Sequence, residues 1–187
     1  MLDVAEAVFS SKGFQTATMD DIAELVGVTK PLIYDYFGSK EGLFASTVER
    51  VRGQLLAALI AAWETAGGDV RHRLAQVVIA FFHFIDEHDR AFALLRTEGA
   101  LTGGQSAASL ERIRQQTAKA FADGMRTYPR FAAVADVRLT AIAEILIGAC
   151  ERLAVWRVEQ HWTSPEDAAG LIMSTFWDGL GSATGVA

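Results

Sequence analysis

The sequence has little cysteine and no long hydrophobic run, and each shortage excludes a class of protein. It also has only three prolines, which leave long stretches of chain unbroken. Its single cysteine, Cys150, rules out a disulfide framework and a cysteine-based zinc site. It also fits a reducing compartment, so we expect a cytoplasmic protein. Charged residues or histidine interrupt every apolar stretch before it reaches the roughly 20 residues of a membrane span. Residues 1–6 carry no cationic run of the kind that opens a signal peptide.

Basic residues are also in the minority. Seventeen Lys and Arg residues face 23 Asp and Glu residues, which gives a net charge of −6. This balance argues against a protein that coats nucleic acid through bulk charge. It leaves open a reader of one DNA site, because such a protein needs only a local cationic edge.

What the sequence does contain predicts an all-α fold. Apolar residues make up 51% of the 187-residue chain, enough to bury a core. Helix formers dominate, and no sustained alternation of β-branched residues indicates a sheet. Glycine and proline divide the chain into about nine predicted helices, at 2–12, 19–26, 30–36, 40–65, 70–88, 91–99, 106–127, 135–161 and 165–181. The first three are short and closely linked, so we predict a small domain over 1–48 and a helical bundle over 49–187.

Residues 18–37 have the pattern of a helix-turn-helix. Thr18 and Asp21 stand at the positions of a capping box, and Gly27 permits the left-handed turn that follows. Thr29 is placed to cap the second helix. The first helix is expected to bury Ile22, Leu25 and Val26. The second helix is expected to bury Ile33 and Phe37.

A recognition helix enters the major groove of DNA by its N-terminal half, which suggests where contacts would lie. Base edges and nearby phosphates suit the second helix of the motif, and backbone phosphates suit the capped helix starts around it. The predicted DNA contacts are Thr18, Thr29, Lys30, Leu32, Tyr34, Tyr36 and Lys40. The alternative is that Tyr34, Tyr36 and Phe37 fill a small core and that the lysines are solvated surface residues.

The segment from Ile22 to Leu43, which includes GVTKPLIYDYFGSKEGL, resembles the N-terminal domain of the TetR family of transcriptional regulators. The earlier Lys12-Gly13-Phe14 also resembles that family, so that the resemblance covers about residues 2–48. The rest is similar only in the number, length and order of its helices. The resemblance implies a homodimer that binds a near-palindromic double-stranded operator and releases it when a small molecule binds. It also implies that the family's DNA contacts fall on the seven residues named above.

The sequence departs from this family in its charge near the N-terminus. Such proteins usually begin with a short basic arm, whereas residues 1–52 hold five cations and eight anions, a net charge of −3. If residues precede Met1, we expect them to be rich in Arg and Lys.

Apolar side chains of the predicted bundle offer a lining for a hydrophobic or aromatic effector. The candidates are Leu55, Leu59, Trp63, Val78, Phe81, Phe82, Ile85, Phe92, Leu95, Ile113, Thr117 and Phe121. The alternative is that they are ordinary bundle core. His83 and His88 are five residues apart and do not share a helical face, so we expect no metal site there. No motif indicates a cofactor.

The last two predicted helices combine small residues with apolar area, as a two-fold interface of four helices requires. The predicted dimer residues are Ile145, Ala149, Leu153, Ala169, Ile172, Met173, Phe176, Trp177 and Leu180. They serve equally well as an internal core, and the resemblance to TetR proteins favours dimerisation.

The favoured interpretation is a ligand-controlled transcriptional repressor. An activator of the same family remains open, because the position of the operator relative to the promoter decides the sign. A helical ligand carrier or enzyme whose N-terminal part is only structural is the second alternative. No Ser/His/Asp or Cys/His motif, glycine-rich phosphate loop or pair of histidine ligands supports an enzyme.

Overall fold

A computed structural model describes residues 1–90, 93–94, 104–160 and 163–184. Every element with bounds in these ranges is helical, and the predicted all-α fold is confirmed. The α-helices are α1 (Leu2–Thr16), α2 (Met19–Val26), α3 (Lys30–Phe37), α4 (Lys40–Thr65), α5 (Val70–Glu87), α6 (Gly104–Arg126), α7 (Asp136–Gln160) and α8 (Pro165–Thr184). A short 3₁₀ helix covers Pro129–Phe131.

Local sequence signals set most helix ends where we predict them. At the start of α8, the backbone N–H of Asp167 donates to the Ser164 hydroxyl, and Pro165 is the first helical residue. α1 is interrupted at Gly13, whose φ of 75° and ψ of 158° are non-helical, so the first helical stretch ends where predicted. A short second stretch then continues to Thr16. The helix predicted over 91–99 lies largely outside the described residues.

The chain divides into two compact units, Met1–Gln54 with Glu87–Ile113 and Leu55–Asp86 with Arg114–Ala187. α4 supplies residues to both. Three phenylalanines form an aromatic cluster in the first unit, where the Phe44 ring lies 5.1 Å from Phe9 and 4.9 Å from Phe14. All three are buried, and burying such a ring stabilises the fold by about 1.5–3 kcal/mol. This cluster fixes α1 against the beginning of α4.

The largest fully buried side chains of the second unit come from α5, α6, α7 and the 3₁₀ helix. They include Leu74, Phe82, Met125, Phe131 and Leu139. Cys150 is buried in α7, and burial raises the pKa of its thiol to about 12, with a smaller effect from Glu151.

Arg157 is the buried charged side chain among the described residues of the second unit. Its guanidinium pairs with Asp86 at the end of α5 and donates to the Thr163 carbonyl oxygen at 3.2 Å. It also lies 5.4 Å from the centre of the Phe82 ring. These contacts hold the C-terminal ends of α5 and α7 together. No helix in the described ranges is long and apolar enough to cross a membrane.

Candidate nucleic-acid interface and ligand cavity

A reciprocal capping box starts α2, as the sequence predicts. The backbone N–H of Asp21 donates to the Thr18 hydroxyl at 3.1 Å, and the Thr18 N–H donates to the Asp21 carboxylate at 3.0 Å. Lys12 Nζ lies 2.8 Å from the same carboxylate. The bond from Lys12, followed by those from Thr18, lowers the pKa of Asp21 to about 2. The capped start of α2 is therefore anchored to α1 by a charged pair.

The turn between α2 and α3 is tight because Gly27 adopts the left-handed conformation, with φ 77° and ψ 31°. Its N–H donates to the Ala23 carbonyl at 3.0 Å, and the Val28 N–H donates to the same oxygen at 3.1 Å. Thr29 is the N-cap residue of α3 by its backbone, but its side chain makes no capping hydrogen bond. Its exposed hydroxyl thus remains available at the start of α3.

The prediction that Leu25 belongs to the buried face of α2 is wrong, since Leu25 is 66% exposed. The inward face uses Met19, Ile22 and Ala23, which are spaced i, i+3 and i+4 and all buried. Leu25 lies off that face. On α3, Ile33 is fully buried as predicted, and Phe37 is only half-buried.

The seven predicted DNA-contact residues lie at the start of α2, along α3 and at the start of α4. Thr18, Thr29, Leu32, Tyr34 and Tyr36 have exposed side chains, and the two lysines are partly exposed. Tyr36 is 72% exposed and Tyr34 39%, so neither fills a core. The structure therefore leaves all seven residues wholly or partly exposed, most of them on or next to the short helix α3.

Both lysines of this surface already have partners. Lys30 Nζ donates to an Asp20 carboxylate oxygen at 2.7 Å, and this bond raises the pKa of Lys30. Lys40 Nζ donates to the Gln15 carbonyl oxygen at 3.1 Å and lies 4.8 Å from the centre of the Phe14 ring. Sequence reasoning did not anticipate Asp20, because nothing in the spacing of two residues ten apart indicates that they meet.

The second unit holds a cavity of about 180 Å³ between α4, α5 and α6, which we call the α4–α6 cavity. It is lined by Leu56, Leu59, Ile60, Trp63, Glu64, Val77, Ala120, Phe121 and Gly124. A Cβ at Gly124 would lie 3.3 Å from the Trp63 indole, so the absence of a side chain there gives the indole its room. The Tyr128 ring meets the indole edge-to-face at 6.0 Å.

Three of the predicted lining residues, Leu59, Trp63 and Phe121, border this cavity. Leu55, Val78, Phe81, Phe82 and Ile85 belong to the packed interior and do not line this cavity. Thr117 is half-buried and does not line it either. Phe92, Leu95 and the side chain of Ile113 lie outside the described part of the chain. Sequence reasoning missed Leu56, Ile60, Glu64, Val77, Ala120 and Gly124.

The predicted dimer surface on α7 and α8 is divided between surface and interior. Ile145 is 64% exposed, whereas Ala169 and Met173 are buried within the chain itself, so a partner could not reach them. The half-buried members are Ala149, Leu153, Ile172, Phe176 and Trp177. The side chain of Leu180 lies outside the described part. Other apolar residues exposed on these two helices are Val137, Trp156, Val158 and Leu171.

No group of three or more His, Cys, Asp or Glu residues in the described ranges is arranged to hold a metal ion. Of the two histidines considered above, His83 lies 2.7 Å from the Glu166 carboxylate at the start of α8.

Comparison with known proteins shows that two family models match this chain. A family model described as bacterial regulatory proteins, tetR family, matches residues 1–47. A second model, described as a tetracyclin repressor-like C-terminal domain, matches residues 70–179.

Relatives are similar over part or nearly all of the chain. The transcriptional activator FasR of Mycolicibacterium smegmatis is 34% identical over 111 residues, which are 59% of this chain and 50% of FasR. The transcriptional repressor KstR2 of Rhodococcus jostii is 29% identical over 101 residues, 52% of this chain and 48% of KstR2. The chain thus aligns with about half the length of these two relatives. The crystal structure of a TetR-like transcriptional regulator from Rhodococcus sp. RHA1 is 30% identical with a TM-score of 0.71, and the match covers 96% of this chain and 93% of that one. With its N-terminal helix-turn-helix and its C-terminal helices both matched, the chain belongs to the TetR family of transcriptional regulators.

Proposed function

We propose that this protein is a cytoplasmic transcriptional repressor that binds a near-palindromic operator as a homodimer and leaves it when a small hydrophobic effector binds. The observation that carries this proposal is the exposed face of α3, which presents Thr29, Lys30, Leu32 and Tyr34 beside the capped start of α2. A short helix with this face exposed has the form that enters a major groove.

Each predicted contact has a chemical role in this proposal. Lys30 donates to guanine or to a flanking phosphate, and Leu32 contacts a thymine methyl group. Tyr34 bonds a base or a phosphate. The Thr18 hydroxyl accepts from the Asp21 N–H and retains its own hydrogen, so it can donate to a phosphate oxygen. Lys40 adds a positive charge in the first turn of α4.

Dimerisation through α7 and α8 is supported by apolar side chains that the single chain leaves exposed. Val137 is 78% exposed, Ile145 64% and Leu171 47%. Val137 and Ile145 are eight residues apart on α7 and therefore lie near the same face. A two-fold interface would cover these residues and mirror the symmetry of a palindromic operator.

Release follows from a shift between two conformers. An effector that binds better to one conformer raises the population of that conformer. In it, the two recognition helices of the dimer are no longer about 34 Å apart, so they do not fit successive major grooves of DNA. The helix α4 supplies Lys40 to the proposed DNA surface and Trp63 to the α4–α6 cavity. The same helix thus belongs to both proposed sites.

An electrophoretic mobility shift assay against the DNA that flanks the protein's own gene tests operator binding. We expect a specific complex below micromolar protein at physiological salt, within the usual range for such regulators. The double variant Lys30→Ala with Tyr34→Ala should lose this complex while its melting temperature stays nearly unchanged. The matched control is Lys119→Ala, an exposed lysine on α6. If the wild type binds a ligand and no DNA, the protein is a helical ligand carrier.

An activator of the same family is the second candidate, and the name of FasR favours it. A reporter fused to the target promoter separates the two functions. Deletion of the gene should raise expression if the protein represses and lower it if the protein activates.

A further inference from the structure

We propose that the α4–α6 cavity selects a compact hydrophobic cation, such as an amine carried on one aromatic ring or a short alkyl chain, through the carboxylate of Glu64. This inference rests on the proposed effector site and gives its ligand a chemical class.

The lining of the cavity contains one charge. Glu64 is its charged member among the described residues, and the other eight are apolar side chains or glycine. Glu64 is exposed and has no hydrogen-bond or ion-pair partner in the described part of the chain. Its carboxylate at the rim of an apolar wall attracts a cation with the modest strength of a solvent-exposed charge pair. A ligand that brings its own positive charge therefore gains at this position.

The backbone around Glu64 adds to the same preference. Glu64 is the second-last residue of α4, where carbonyl groups without helical partners carry partial negative charge. Arg73 comes close, since it donates to the Trp63 carbonyl oxygen at 2.9 Å and lies 5.9 Å from the indole ring. It does not line the cavity and forms no ion pair with Glu64. Arg73 thus offsets part of the helix-end charge, while the Glu64 carboxylate itself stays unpaired in the described part of the chain.

The volume of the cavity suits a small molecule. An apolar protein cavity of about 150 Å³ accommodates one benzene molecule. The α4–α6 cavity, at about 180 Å³, holds one ring with a few further atoms. Because Glu64 is exposed while Val77 is buried, we expect the ring to lie against Val77 and the ammonium group to face Glu64 at the opening.

Three probes of similar shape test the charge preference by isothermal titration calorimetry on the full chain at physiological salt: 2-phenylethylammonium, 2-phenylethanol and phenylacetate. We expect the wild type to bind the ammonium compound tightest and the carboxylate weakest. Glu64→Gln should lower the affinity for the ammonium compound by about three- to tenfold and leave the affinity for the alcohol unchanged, as expected for a partly exposed charge pair. Glu49→Gln, which removes another exposed carboxylate of α4, is the matched control and should leave all three affinities unchanged.

The site of binding has its own readout. The indole N–H signal of Trp63 in a ¹⁵N NMR spectrum, assigned with Trp63→Phe, should shift when the ammonium compound binds. The proposal is overturned if the alcohol or the carboxylate binds the wild type as tightly, if Glu64→Gln leaves ammonium binding unchanged, or if none of the probes binds. Operator binding is measured on the same preparations as a separate result. A protein that binds operator DNA but not the ammonium compound contradicts only the proposed ligand class, whereas one that binds no DNA contradicts the proposed function.

Discussion

Lys30, the first residue of the proposed recognition helix, is bonded to Asp20 in the first turn of α2. The ammonium nitrogen lies 2.7 Å from the carboxylate, and both side chains face solvent, with 43% and 72% of their surface exposed. A phosphate or a guanine that takes Lys30 must therefore compete with Asp20. The carboxylate also adds a negative charge to a surface proposed to meet polyanionic DNA.

Asp20→Asn should accordingly tighten operator binding by a few fold and increase the number of released counterions. A newly available Lys30 contact steepens the plot of log affinity against log salt by about one unit. Fluorescence polarisation over a salt series measures both quantities. Glu24→Gln removes another exposed carboxylate of α2 and is the control. Weaker binding at an unchanged slope would contradict this prediction and would mean that Asp20 holds Lys30 in its binding position.

The charged cap of α2 should make stability depend on pH in the acid range. The pKa of Asp21 is lowered from 3.8 to about 2, so its carboxylate stabilises the folded state above about pH 4. That contribution is lost as the pH falls from about 4 towards 2. Over this range Asp21 takes up its proton in the unfolded state before it does so in the folded state. We expect the melting temperatures of wild type and Asp21→Asn to differ at pH 5 and to converge near pH 2. A constant difference across this range would show that the ionised carboxylate is not responsible.

Two glycines of α4 should respond oppositely to substitution by alanine. At Gly42, a Cβ atom would overlap the backbone carbonyl oxygen of Phe37, so the junction of α3 and α4 must open. We expect a loss of about 1–3 kcal/mol in the free energy of unfolding, together with weaker operator binding. At Gly53 a Cβ meets nothing within 4 Å, and alanine should stabilise the helix by about 0.5–1 kcal/mol. Urea denaturation of the two variants gives both values, and equal shifts would contradict the packing argument.

The Arg157–Asp86 pair should contribute to the stability of the second unit. Asp86→Ala leaves a guanidinium that is 6% exposed without its carboxylate, and we expect a loss of about 2 kcal/mol in the free energy of unfolding. The partial exposure of Asp86, at 40%, keeps this below the cost for a fully buried pair. The double variant with Arg157→Met removes the stranded charge and should recover part of the loss. A double variant less stable than Asp86→Ala would contradict this account.

Features encoded by neighbouring residues were predictable from the sequence. Each of the helix-end signals acts over no more than four residues, so its effect follows from local chemistry. They are Thr18 with Asp21, Gly27, and Ser164 with Pro165. Features that depend on packing were not. Periodicity shows which side chains of a helix face inward, but it does not tell which of them pack tightly and which border a void. Val78 and Phe81 therefore belong to the core, and Leu56 and Ile60 line the cavity.

The burial of Cys150 has a practical consequence. Thiol reagents attack the thiolate, and a thiol whose pKa is about 12 supplies almost none of it at neutral pH. Labelling of this protein must then wait until α7 opens to solvent, and with one cysteine in the chain the signal comes from a single place. The labelling rate of Cys150 therefore measures how often the C-terminal core opens. An effector that stabilises the closed core should slow this labelling, and no engineered cysteine is needed to observe it.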